Sequence, residues 1–287
     1  MTKIHPIRTG LVRVRKPQME SRGAGLGRIT AMLFDEEWSD WLPIYTWLIE
    51  HDEGLILVDT GETARIHEHG YLPRWHPFQR RGARFSVHPE EEIGPQLRSL
   101  GIGPRDVRQV VLTHLHTDHA GGLRHVTGAR IWVSEGELKR GRGIGGLVNG
   151  YLPHRWPRYW EPELIRFDAE PLGPFERTMP LTRRGDVMIV PTPGHTPHHV
   201  SVVVGGEPLT FLAGDTSYTE ALLVNGAVDG VSPNIAVTRA TNERILALAR
   251  LRPLVYLPSH DPDSGRRLAS SAVLVAGEAR VARGAAA

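Results

Sequence analysis

Five short apolar runs in this chain stop in the same way. GLILVDTG (54–61), VRQVVLTH (107–114), DVMIVPTPGH (186–195), LTFLAGD (209–215) and LVYLPSH (254–260) each reach an aspartate or histidine at or close to the end. Runs of this length, rich in Val, Ile and Leu, read as short buried strands. Strands of one sheet, or of two facing sheets, can gather their carboxyl ends along one edge, so endings far apart in sequence can converge on one site. Between the runs, PEEEIGPQLRSLGI (89–102) and NERILALARLRP (242–253) have the amphipathic spacing of helices that cover an outer face. The expectation is an α/β fold. Because the strand endings come from both halves, and no solenoid repeat or low-complexity linker is present, residues 1–287 are read as a single domain.

Three segments interrupt this alternation: 17–46, rich in Gly and Trp; 68–88; and 140–162. Long loops in a compact domain are functional or disordered, and their aromatic content argues against disorder. They are read as walls of an apolar pocket, with the pinning of loops to the core as the plainer role for any one aromatic. The tail VAGEARVARGAAA (275–287) reads as short and frayed.

The run at 107–114 leads into HLHTDHAGG, which places His114, His116, Asp118 and His119 in the pattern H-x-H-x-D-H. The chain contains no cysteine, which removes disulfides, thiolate nucleophiles and thiolate metal ligands together. Imidazole and carboxylate are then the ligands of choice for zinc and similar divalent ions. Four such groups in one tight turn cannot all reach a single tetrahedral ion that also keeps an open position, whereas two adjacent ions relieve the crowding. His198 and His199 are two further imidazoles, read as outside the ligand set.

The motif resembles that of the metallo-β-lactamase superfamily, and the other strand endings match its remaining motifs in order: Asp59 in LVDTG, His195 in TPGHT, Asp215 in AGD and His260 in PSHD. By that resemblance the fold is a four-layer αββα sandwich. His114, His116 and His195 would hold one metal; Asp118, His119 and His260 would hold the second; Asp215 would bridge both. Asp59 would lie behind the ligands and orient their imidazoles. Within the superfamily, the bridging Asp215 with His119 speaks against the lactam-cleaving enzymes, and the absence of an HxExD pattern speaks against the flavodiiron branch.

GDTSYTEA is more specific, because Tyr218, three residues after Asp215, matches a tyrosine that N-acyl homoserine lactonases use beside their metals. Further agreement lies in PIYTWLIEHDEGLILVDTG (43–61), in SLGIGPRDVRQVVLTHLHTDHAGG (99–122) and in SHD (259–261). One departure is His198 in GHTPHH, where these lactonases commonly carry glycine; it leaves His195 untouched and bears on the pocket rim.

What the resemblance implies is a dinuclear metal-dependent hydrolase that opens N-acyl homoserine lactones or related lactones. Metals about 3.5 Å apart share a water whose pKa falls to near 7 or below, and the resulting hydroxide attacks the carbonyl. Tyr218 would stabilise the oxyanion, and Asp118 would carry the proton to the leaving ring oxygen. Zinc is the default metal, with cobalt, manganese or iron as alternatives. A glyoxalase-II-like thioester hydrolase would share all the ligands but reads glutathione with a basic C-terminal domain. A phosphodiesterase or nuclease of the same superfamily would need phosphate-binding side chains near the metals, and a metal-binding protein without turnover is the non-enzymatic alternative.

The small-molecule lactone is the expected partner. Basic residues number 34 against 32 acidic ones, and RRGAR (80–84) and KRGR (139–142) read as solvated loops, so no nucleic acid is expected. The opening MTKIHPIRTGLVRV lacks the apolar core of a signal peptide, and no run of about 18 apolar residues could span a bilayer. The expectation is a cytoplasmic protein without membrane contact, with a homodimer among the assemblies left open.

Overall fold

The structure is a computed structural model and describes residues 2–23, 25–73 and 81–277. Two mixed sheets face each other. The larger has the order β4-β1-β2-β3-β5-β6-β7, built from β1 (Lys3–Val14), β2 (Leu42–His51), β3 (Gly54–Val58), β4 (Ala83–Ser86), β5 (Val107–Val111), β6 (Arg130–Val133) and β7 (Glu163–Leu164). The smaller has the order β12-β11-β10-β9-β8, built from β8 (Met179–Pro180), β9 (Val187–Pro191), β10 (Val200–Val204), β11 (Leu209–Gly214) and β12 (Leu254–Pro258).

The near-continuous apolar runs follow from burial on both faces of each strand. In the larger sheet Trp47, Ile49, Ile56, Val58 and Val111 point toward the second sheet, where they meet Val187, Ile189, Val200, Val202, Leu212 and Leu257. Their neighbours Leu48, Leu57 and Val110 point the other way, onto Ile93 and Leu97 of the helix Ile93–Ser99 and Leu138 of the helix Glu135–Arg142. In the smaller sheet the outward set is Val190, Val203, Phe211, Leu254 and Tyr256, covered by Ile245 and Leu248 of the helix Ile235–Leu251. Period-two alternation thus distributes each strand between an inter-sheet core and a helix-covered core, giving the four-layer αββα sandwich.

β3 and β5 pair in parallel, β11 and β12 pair in parallel, and β9 runs the same way as β11 because β10 is antiparallel to both. All five runs that end in Asp or His therefore deliver their carboxyl ends to matching edges of the two sheets.

Several readings change. Segment 17–46 holds the helices Lys16–Met19 and Gly25–Phe34 and the start of β2, so it is not a loop; Gly25 and Gly27 depress local helix propensity, and tertiary packing of Met32 and Leu33 overrides it. The helix expected from 242 begins at Ile235, capped by the Asn234 side chain on the backbone N–H groups of Ala236 and Val237. KRGR (139–142) is the last turn of the helix Glu135–Arg142 rather than a loop. In RRGAR, Arg81 and Arg84 stack on Phe34 and Trp38, while Arg80 lies outside the described residues, as do 74–79 of the second wall segment and 278–287 of the tail. Among the described residues no helix is long and apolar enough to cross a membrane.

Candidate metal centre

Each strand end turns abruptly into the site. After β3, Asp59 adopts φ +62°, a left-handed conformation that aspartate tolerates better than most residues, and its backbone N–H donates to Val111 of β5. After β5 the chain gives His114 and His116 and then the single-turn helix Thr117–Ala120 with Asp118 and His119. Asp215 follows Gly214, which sits at φ +57°; a Cβ there would stand 2.6 Å from His199 Nε2 and 2.9 Å from Thr113 Cβ, so only glycine allows the approach.

The turns bring seven side chains together. His114 Nε2 and His195 Nε2 stand 3.0 and 3.1 Å from His116 Nδ1. Beside them, Asp118, His119 and His260 form a second group, with His260 Nε2 3.5 Å from Asp118 Oδ2. Asp215 lies between the groups: Oδ1 is 3.3 Å from His119 Nε2, and Oδ2 is 3.4 Å from both His195 Nε2 and His260 Nε2. All but Asp118, which is partly exposed, and His116 are buried.

The outer nitrogen of each ring has an acceptor beside it. His119 Nδ1 donates to Asp59 Oδ2 at 2.8 Å, and His260 Nδ1 donates to the Pro43 carbonyl at 2.9 Å. His114 Nδ1 donates to Thr113 Oγ1 at 3.1 Å, which itself donates to Asp59. His116 is hydrogen-bonded to the Asn149 backbone, and His195 Nδ1 faces Asp229 Oδ1 at 3.4 Å. These partners set the tautomers so that lone pairs of the inner nitrogens converge. Inner lone pairs at such separations repel unless a cation lies among them, and imidazoles bound tetrahedrally at about 2.0–2.1 Å stand about 3.3 Å apart. His119 Nε2 and Asp215 Oδ1, both buried, have no hydrogen-bond partner. The donor set therefore fits divalent cations.

Electrostatics divides the rings. Burial, and then the neighbouring imidazoles, hold His114 and His116 well below the ordinary imidazole range. For His119, His195 and His260 burial acts in the same direction, but carboxylates overcome it and raise all three: Asp215 and Asp59 for His119, Asp229 and Asp215 for His195, Asp215 and Asp118 for His260. Asp215 is held well below the carboxylate range; burial opposes this, and His260 and His119 outweigh it.

A cavity of about 510 Å³ opens over His116, Asp118, His195, Asp215 and Tyr218. The segment 17–46 contributes Gln18, Arg28, Ile29, Met32 and Leu33 to its lining, 68–88 contributes Ala83 and Phe85, and 140–162 contributes Asn149 and Gly150. The wall is aliphatic more than aromatic. Trp38 is instead stacked with Arg15 and Arg84, and Trp156 meets Trp160 edge to face against the core. Tyr218 is buried with its ring stacked 5.6 Å from that of His260, and burial with Asp215 nearby pushes its phenol well above the usual range.

His198 is exposed, packs beside Gly136 and belongs to none of the ligand groups. His199 accepts from the Asp215 backbone N–H at Nε2, 3.1 Å away, and donates from Nδ1 to Thr192 Oγ1. Burial and His195 push it down to about 3, so it is a neutral brace behind Asp215. Asp229, Thr113 and His199 were invisible as contributors in the sequence, where each carries only an ordinary turn or strand signal.

The sequence model of the Metallo-beta-lactamase superfamily matches residues 39–260. A probable metallo-hydrolase of Mycobacterium bovis is 30% identical over 240 residues, covering 75% of this chain and 74% of its own length. An N-acyl homoserine lactonase of a Bacillus species is 29% identical over 230 residues, covering 78% and 84%. Among solved structures, an N-acyl homoserine lactone hydrolase with the product N-hexanoyl-L-homoserine bound at its catalytic metal centre superposes with a TM-score of 0.74 at 21% identity, over 92% of this chain and 95% of that one. With the sandwich, the strand-end cluster and the family match over residues 39–260 in agreement, this chain belongs to the metallo-beta-lactamase superfamily.

Proposed function

We propose that the protein is a dinuclear metal-dependent lactonase acting on N-acyl homoserine lactones or close relatives, with His114, His116 and His195 holding one ion, Asp118, His119 and His260 the other, and Asp215 between them. The observation that carries this reading is Tyr218, which lines an apolar-walled cavity with its ring stacked on that of His260 and with Asp215 nearby. The likeness to proteins named as N-acyl homoserine lactonases supports the substrate class.

Two divalent ions, zinc by preference, would supply Lewis acidity toward the carbonyl and a nucleophilic water at neutral pH. The residues of the chain divide the remaining work. Tyr218 keeps its proton in this environment and donates a hydrogen bond to the carbonyl oxygen as negative charge grows, a contribution of about 3 kcal/mol for a well-placed donor. Asp118, half-buried and lining the cavity, takes the proton from the attacking water and returns it to the ring oxygen as the C–O bond breaks. Val12, Val14, Met32, Leu33 and Phe85 bury the acyl chain. Ring opening yields an N-acyl homoserine, which would end signalling by an acyl lactone.

The test is a panel of acyl homoserine lactones, a thioester and a bis-aryl phosphodiester, assayed with protein of measured metal content. The lactones should give the highest kcat/KM. A preference for the thioester or the phosphodiester would overturn the assignment while leaving the metal centre intact.

A further inference from the structure

The helix Glu135–Arg142 carries one side chain that does not belong on a solvent-facing helix. Glu137 is completely buried, unlike its neighbours Glu135 and Lys139, which pair with each other on the surface. Its carboxylate is shared among three loops. Oε1 accepts from the backbone N–H of Leu115 at 3.2 Å and from the Tyr151 hydroxyl at 2.6 Å, and Oε2 accepts from Thr196 Oγ1 at 2.9 Å.

Each contact is one residue or one ring away from the same group of imidazoles. Leu115 lies between His114 and His116; Thr196 follows His195; the Tyr151 ring packs 5.1 Å from the His116 ring. Asp118, His119 and His260 have no contact of this kind with Glu137, and His119 is oriented by Asp59 instead. A buried acceptor costs free energy unless its partners are in place, so a carboxylate with three donors holds all three loops in one arrangement.

We propose that Glu137 is a positioning residue that fixes the mutual angles of His114, His116 and His195, and so sets the affinity and geometry of that half of the centre alone. The role rests on the two-ion reading above but not on the identity of the substrate.

The test titrates metal-free protein with Co²⁺ and follows visible absorption and stoichiometry. Wild-type protein takes up two equivalents. Glu137→Leu should lose about ten- to a hundredfold in affinity at one site only, with a changed spectrum for that site. Glu137→Gln should largely restore both, because its amide oxygen still accepts from Leu115 and Tyr151 while the Thr196 hydroxyl can accept from its amide. Thr196→Val and Tyr151→Phe each remove one donor without altering the helix, and each should weaken the same site several-fold; they decide the matter if Glu137→Leu does not fold. Unchanged affinities and spectra in these variants, even with a lowered Tm, would make Glu137 an ordinary structural residue and overturn the proposal. Wild-type protein that binds fewer than two ions would overturn the two-ion reading itself and the positioning role with it, a result distinct from a normal wild type with indifferent variants.

Discussion

Replacing Asp59 with Asn should cost the His119 group its ion while leaving the fold in place. Asp59 accepts from the Thr113 backbone N–H at 2.8 Å, from Thr113 Oγ1 at 2.9 Å and from His119 Nδ1 at 2.8 Å. Asparagine has the same shape and is equally tolerant of φ near +62°, so the backbone need not move. Its amide, however, offers one acceptor where the carboxylate offered two. If the oxygen serves Thr113, the amide N–H group faces His119 Nδ1–H; if the amide is flipped, it faces the Thr113 N–H. The cheaper escape is for His119 to move its proton to Nε2, the nitrogen that points into the cluster. Losing a hydrogen bond to a charged acceptor costs about 1.5–3 kcal/mol, which is about ten- to a hundredfold in affinity. Competition against a chromophoric chelator measures that affinity, and nitrogen NMR of the imidazoles reports the tautomer. Two ions held at wild-type affinity, with Nε2 unprotonated, would refute the argument that Asp59 sets the ring.

Tyr218→Phe should lower kcat about ten- to a hundredfold with both ions retained, since the lost hydrogen bond strengthens with charge development; a rise in KM alone would make Tyr218 a binding residue. Metal uptake near neutral pH should release protons, because His119, His195 and His260 are all raised in the metal-free protein. Metal affinity therefore falls as pH falls and these rings protonate, and calorimetry in buffers of different ionisation enthalpy should show the release; a heat independent of buffer would contradict it. Gly61→Ala should destabilise the fold by about 2–5 kcal/mol, from a left-handed backbone combined with overpacking, because Gly61 has φ +70° and its Cβ would stand 2.0 Å from the buried Thr9 Oγ1. An unchanged urea midpoint would show that β1 yields more easily than its packing implies.

The sandwich was legible because its constraint is local. Short runs of Val, Ile and Leu, each closed by Asp or His, read as buried strands whose ends can share one edge, and the resemblance to the superfamily supplied the layering into a sandwich. β1 was not legible: KIHPIRTGLVRV carries Pro6 and Gly10 and alternates with basic residues, and its pairing with both β2 and β4 is a tertiary fact. The braces behind the cluster were hidden for the same reason. Glu137 reads as one more charge in EGELKRGR, and Asp229 as a turn residue that also accepts from Ser232; what makes them special is the lack of water around them. His199, read as outside the ligand set, gave no sign in the sequence that it braces the Asp215 backbone from behind.

The cavity wall has an evolutionary consequence. Every side chain of the seven-residue cluster lies within residues 39–260, the span shared with the family, whereas Val12, Val14, Gln18, Arg28, Ile29, Met32 and Leu33 all precede it. Five of those seven belong to the excursion between β1 and β2, two strands already paired to each other in the larger sheet. Descendants of such a chain can exchange that excursion, by drift or recombination, and reshape the wall of the cavity without touching any of the seven clustered side chains.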